Sequence, residues 1–106
     1  MLFNTVVAYA PLQPAPTIEE MIASYDWDYE TAYAVMMCES GGDPSAINDN
    51  PVTKDMSVGL YQVNLFGDNA LTRPSEKWLK NPANNIYYAH ELYKSGGWYT
   101  HWRNCL

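Results

Sequence analysis

The segment DYETAYAVMMCESGG, residues 28–42, constrains the fold most strongly. Tyr29, Ala32, Tyr33, Met36 and Met37 recur at i, i+3, i+4, i+7 and i+8, the spacing of one buried helix face. Asp26 or Asp28 can start this helix. Gly41-Gly42 must end it, since glycine is the residue that enters the left-handed position past a C-cap. The chain is therefore built around a helix that stops abruptly, with one carboxylate, Glu39, in its last turn.

That placement is unusual. The C-terminal end of a helix carries partial negative charge, so an ionised carboxylate is disfavoured there. Met36 and neighbouring aromatics would add desolvation, and both effects raise a carboxyl pKa. A carboxylic acid still protonated near neutral pH is what a general acid requires. The plain alternative is a solvated Glu bonded to a turn amide.

The rest of the chain reads as a small set of elements around this helix. Residues 11–17, PLQPAPT, hold three prolines and cannot form a helix interior, so residues 1–17 are expected to be an extended arm. The opening MLFNTVVAYA ends on Ala-Tyr-Ala but lacks a basic region, and is read as the start of a mature chain. Ile18, Met21, Ile22 and Tyr25 predict a first helix, with Thr17 and Glu20 as a capping box. Residues 43–58 are polar and turn-rich, without the mid-loop glycine and terminal Glu of a calcium loop. GLYQVN, 59–64, predicts a short strand with even and odd positions on opposite faces. A short helix is expected near Glu76. The longest follows, with Asn81 as cap, Pro82 in its first turn and Gly96 closing it. Residues 18–106 thus read as one mainly helical α+β domain.

Composition narrows the function. The net charge is −6 with only six Lys and Arg, which excludes the basic footprint of nucleic-acid binding. No apolar run approaches the roughly 20 residues of a membrane-spanning helix. Nine Tyr and four Trp suit a groove that grips a polar ring such as a sugar, or a small core filled with amphipathic aromatics. Two cysteines, Cys38 and Cys105, are too few for a zinc site; they allow one long-range disulfide or two buried thiols. No metal or cofactor is expected.

Three further stretches follow Glu39 in order: CESGGDPSAIN, SVGLYQVN and NPANNIYYAHELY. This succession resembles the lytic transglycosylases of the lysozyme-like superfamily, the soluble-lytic-transglycosylase type. The matching residues are Glu39, Ser40 and Gly41, then Pro44 and Ala46, then Ser57, Gly59, Leu60 and Gln62, and finally Asn85 and Ile86. The resemblance covers roughly residues 18–102 and implies a helical body facing a small β region across a sugar-binding cleft. It implies as substrate the MurNAc-β-1,4-GlcNAc bond of peptidoglycan, with Glu39 as general acid and then base. Ser57, Gly59, Tyr61, Gln62, Asn85 and Tyr87 are the expected substrate-binding residues.

A transglycosylase needs one carboxylate, whereas ordinary glycosidases need two. Two-carboxylate lysozymes carry an Asp two residues before the strand-motif glycine; here that position is Ser57. Asp55 and Asp49 lie in the same region, so a hydrolytic lysozyme is the alternative, and a catalytically silent wall-binding module a further one. The late Ala-Tyr-Asn-Ala-Gly motif of many family members is missing, and Tyr88, Tyr93 or Tyr99 are the candidates to replace its tyrosine beside Glu39. A Cys38–Cys105 bridge would pin the tail against the catalytic helix. The expected setting is extracellular, cell-wall associated or phage-borne, acting as a monomer.

Overall fold

The computed structural model describes residues 12–106; the expected arm falls largely on residues 1–11, outside the described residues. Residues 12–17 carry no regular secondary structure and lead into α1, Ile18–Ala23. The capping box is formed. Thr17 Oγ1 accepts from Glu20 N at 3.1 Å, and Glu20 Oε1 accepts from Thr17 N at 3.1 Å. Asp28, rather than Asp26, starts α2, Tyr29–Ser40, by accepting from Thr31 N at 3.0 Å. Asp26 instead bonds the buried His90 Nε2 at 2.6 Å, tying the α1–α2 connection to the helix that carries His90.

α2 ends at Gly41, which adopts φ 65° while its N–H donates to Met37 O. Its buried stripe is Ala32, Val35 and Met36; Met37, expected in the core, is 41% exposed. Val35 thus takes the inward place that the sequence pattern gave to Met37.

The β region differs from the expectation for 59–64. The strands are β1, Ile47–Asn50, β2, Asp55–Val58, and the short β3, Val63–Asn64, in the antiparallel order β1-β2-β3. Ile47 pairs with Val58, Asn50 with Asp55, and Ser57 with Asn64. Residues 59–62 form the turn between β2 and β3. Gly59 at φ 78° and Gln62 at φ 51° both leave the extended region, so no alternation of faces is possible there. Leu60 and Tyr61 are instead both fully buried.

Two short helices follow: α3, Asn69–Thr72, which the sequence reading lacked, and α4, Glu76–Leu79, which it placed. α5, Pro82–Trp102, starts as expected, with Asn81 accepting from Asn84 N. Its break is at Gly97 (φ 70°, ψ −177°) and not at Gly96. A 3-10 turn, Arg103–Cys105, completes the chain.

Two apolar clusters hold these elements. One joins Ile22, Trp27, Ala32, Val35, Met36, Tyr61, Ile86, Ala89 and Trp102 in the helical body. The other joins Val58, Val63 and Leu79 beneath the sheet. Asn85 links them. Its Nδ2 donates to Val58 O and Leu79 O at 2.9 and 3.0 Å, and its Oδ1 accepts from Tyr61 N at 2.8 Å. A buried amide with these bonds costs little, because each leaves no orphaned partner.

Candidate active site

Glu39 lies in the last turn of α2, half-buried. Burial first, and the Asp55 carboxylate second, raise its pKa above the ordinary carboxylate value. The protonated form is favoured by both, as a general acid needs. Cys38 and Cys105 form a disulfide with Cα atoms 5.8 Å apart, and Cys105 Sγ lies 3.3 Å from Glu39 Oε1. A disulfide sulfur has no proton to donate, so this is a packing contact. It covers one carboxyl oxygen with a polarizable, weakly polar atom.

The two loop carboxylates separate here. Asp55 opens β2 and bears on Glu39; its Oδ2 accepts from Thr53 Oγ1 at 2.6 Å, and Ser57 Oγ lies 3.5 Å from its Oδ1. Asp49 pairs with Met56 in the ladder, so it shares the face of Met56, opposite that of Asp55 and Ser57. It is exposed.

The expected substrate-binding residues also divide. Ser57 is buried, 5% exposed, on the Asp55 face of β2. Gln62 is part-buried, its Nε2 donating to Ala46 O and Gly59 O. Three others have different work. Tyr61 is 0% exposed, and its hydroxyl donates to Ala32 O at 2.8 Å. Burial holds that phenol's pKa well above its usual value, and no ring face is left for a sugar. Asn85 is equally buried and fully committed to backbone groups. Gly59 is needed because a Cβ there would lie 2.3 Å from Asn85 Nδ2 and 2.7 Å from Leu79 O. The close approach is by protein and not by a glycan. Tyr87 is 48% exposed and packs edge-on against Trp78.

Among the described residues, none of the three tyrosine candidates for the missing motif is hydrogen-bonded to Glu39. Tyr88 packs on the cluster under the sheet, Tyr93 on Trp27 and Trp98, and Tyr99 is exposed. Cys105 is the side chain in contact with the carboxyl.

A cavity of about 210 Å³ opens between the sheet, α3 and the end of α5. Gln62, Asn64, Arg73, Thr100, His101 and Trp102 are among its lining residues. Arg73 Nη1 donates to Asn64 O at 2.8 Å. Burial first, then the Arg73 charge, lower the His101 pKa. Apart from Gln62, none of these residues was expected at a site from sequence. No local sequence signal marked Arg73, which shares its segment with Asp68, Glu76, Lys77 and Lys80. Among the described residues no cluster of His, Cys, Asp and Glu could hold a metal ion.

A helical body, a three-stranded antiparallel sheet and a desolvated carboxyl at a helix end define an α+β protein of lysozyme-like type. The family described as lysozyme like domain matches residues 21–104, and the chain belongs to it. No curated protein and no solved structure matches the chain. Membership suggests a glycosidase or transglycosylase with peptidoglycan-related activity. No described helix is long and apolar enough to cross a membrane.

Proposed function

We propose that the chain is a lytic transglycosylase cleaving the MurNAc-β-1,4-GlcNAc bond of peptidoglycan. Glu39 is the general acid and base. Its proton passes to the glycosidic oxygen as that bond breaks. The carboxylate left behind takes the proton of the muramyl 6-hydroxyl, whose oxygen closes on C1 to give a 1,6-anhydro ring. No water is consumed. The observation that carries this reading is the half-buried carboxyl at the end of α2, its pKa raised by burial and by Asp55. Ser57, standing where two-carboxylate lysozymes have Asp, supports the single-carboxylate route. Ser57 and Gln62 remain the residues assigned to substrate. The disulfide fits an oxidising setting, extracellular, at the cell wall or on a phage particle.

Asp55 supports a second reading, a hydrolytic lysozyme in which it is the second carboxylate, since its charge already acts on Glu39. Mass spectrometry of products from purified peptidoglycan, wild type beside Glu39→Gln, tests both. Products ending in 1,6-anhydromuramic acid and absent from the variant are expected. Reducing-end muramic acid would replace the first reading with the second. No Glu39-dependent product from several wall types would leave a silent wall-binding module.

A further inference from the structure

The cavity beside the sheet has a charge character opposite to that of the chain. Twelve Asp and Glu stand against six Lys and Arg, yet no Asp or Glu lines this cavity. Arg73 does. The ion pairs among the described residues are Lys80–Glu76, His90–Asp26 and Lys94–Glu91, and Arg73 enters none of them. One guanidinium nitrogen is fixed by Asn64 O. A guanidinium has five N–H donors, so this single bond orients the fork and leaves donors for a second acceptor.

The neighbours complete a polar, one-signed recess. Asn64 is itself held rigidly: its Oδ1 accepts from Met56 N and Phe66 N, and its Nδ2 donates to Lys54 O. His101 and Thr100 come from the segment after the Gly97 break, so that break turns them toward Arg73. At about 210 Å³ the recess is below the roughly 300–1,000 Å³ of pockets that enclose a whole ligand. It has room for one group of a larger molecule.

Both segments that frame the recess also run to Glu39. Asn64 pairs with Ser57, whose strand begins at Asp55. Trp102 leads within three residues to Cys105, in contact with Glu39 Oε1. We propose that the recess is a subsite for a free carboxylate on the peptide stem of the wall polymer, received by Arg73 with Thr100 and His101 beside it. This rests on the peptidoglycan reading above and adds which part of that substrate is recognised apart from the sugar. A paired carboxylate–guanidinium contact is short, two-pronged and stronger than a neutral one.

The test compares kcat/KM on glycan strands with intact stems and on strands stripped by an amidase. Wild type is expected to favour stem-bearing strands by roughly tenfold, the worth of a good charge-assisted contact. Arg73→Gln should bring that ratio close to one, and Arg73→Lys, which keeps the charge and loses the fork, should fall between. A wild-type ratio near one, or a ratio that Arg73→Gln leaves unchanged, overturns the proposal. A separate readout needs no turnover. NMR titration of Glu39→Gln with a soluble stem peptide should shift the His101 and Thr100 signals, and the same peptide with amidated carboxyls should not. If wild type cleaves no glycan, the enzymatic reading falls, and this titration alone decides the subsite: a carboxylate-dependent shift upholds it and no shift overturns it.

Discussion

Removing the Cys38–Cys105 bridge offers the most quantitative perturbation. The two residues are 67 apart in sequence, so the bridge closes most of the described chain into a loop. Chain entropy for a loop of that length corresponds to about 4 kcal/mol of stabilisation at 25 °C. Small domains have only about 5–15 kcal/mol in total, so Cys38→Ser/Cys105→Ser should lose a large share. For a domain of this size the melting temperature should fall by about 20 °C. Circular dichroism melts of the oxidised wild type and the double variant measure this directly. The same change uncovers Glu39, whose carboxyl is raised chiefly by burial. Its pKa should drop toward the ordinary value, moving the alkaline limb of any activity profile to lower pH. A stability loss below about 1 kcal/mol would refute the loop-closure reasoning. Two titratable thiols in denatured, unreduced protein would remove the bridge itself.

Glu39→Gln should abolish Glu39-dependent cleavage and leave the fold intact. Because the folded carboxyl holds its proton to a higher pH than the unfolded one, the native state binds more protons above the ordinary carboxylate range. That group's contribution to stability is present at low pH and lost as pH rises through the raised value. The variant should therefore match or exceed wild type at neutral pH and show no advantage at acidic pH, as denaturant midpoints across pH will report. Asp55→Asn removes the second cause of the Glu39 shift, so the alkaline limb should move modestly downward; a complete loss of product would favour the two-carboxylate reading. Asn85→Ala strands buried partners at Val58, Leu79 and Tyr61 and should cost about 3 kcal/mol or more. Gly59→Ala meets the same amide at 2.3 Å, and urea midpoints of both variants should fall together.

The parts of the fold that are local in origin were legible in the sequence. Thr17 with Glu20, and Asn81 with Pro82, specify their helix starts through bonds spanning three residues, whatever surrounds them. Gly41 likewise carries the stop of α2 in its own backbone freedom. The turn at 59–62 was not legible. It packs at Gly59 against Asn85 and Leu79, residues distant in sequence, and its apolar Leu60 and Tyr61 imitate a strand. Tyr61 shows the same limit at the candidate site: an aromatic with a hydroxyl fits a sugar groove and a core equally well, and only the acceptor at Ala32 O distinguishes them. Motif order pointed to Glu39, but the Asp55 charge beside it and the Cys105 contact depend on strand register and on the path after Gly97. Arg73 was missed because its meaning lies in what does not surround it.

The bonding of Asn85 has a consequence for motion. One amide fastens the end of β2, the end of α4 and the following turn to a long helix of the body. Trp102 Nε1 adds a fourth tie, to Tyr61 O at 2.9 Å. Opening the sheet away from the helices would break these bonds together. These four bonds couple the sheet to the helical body, so the two should resist separation as one unit. On the proposed function, a glycan strand would therefore be met by rearrangement of side chains and not by movement of the sheet against the helices.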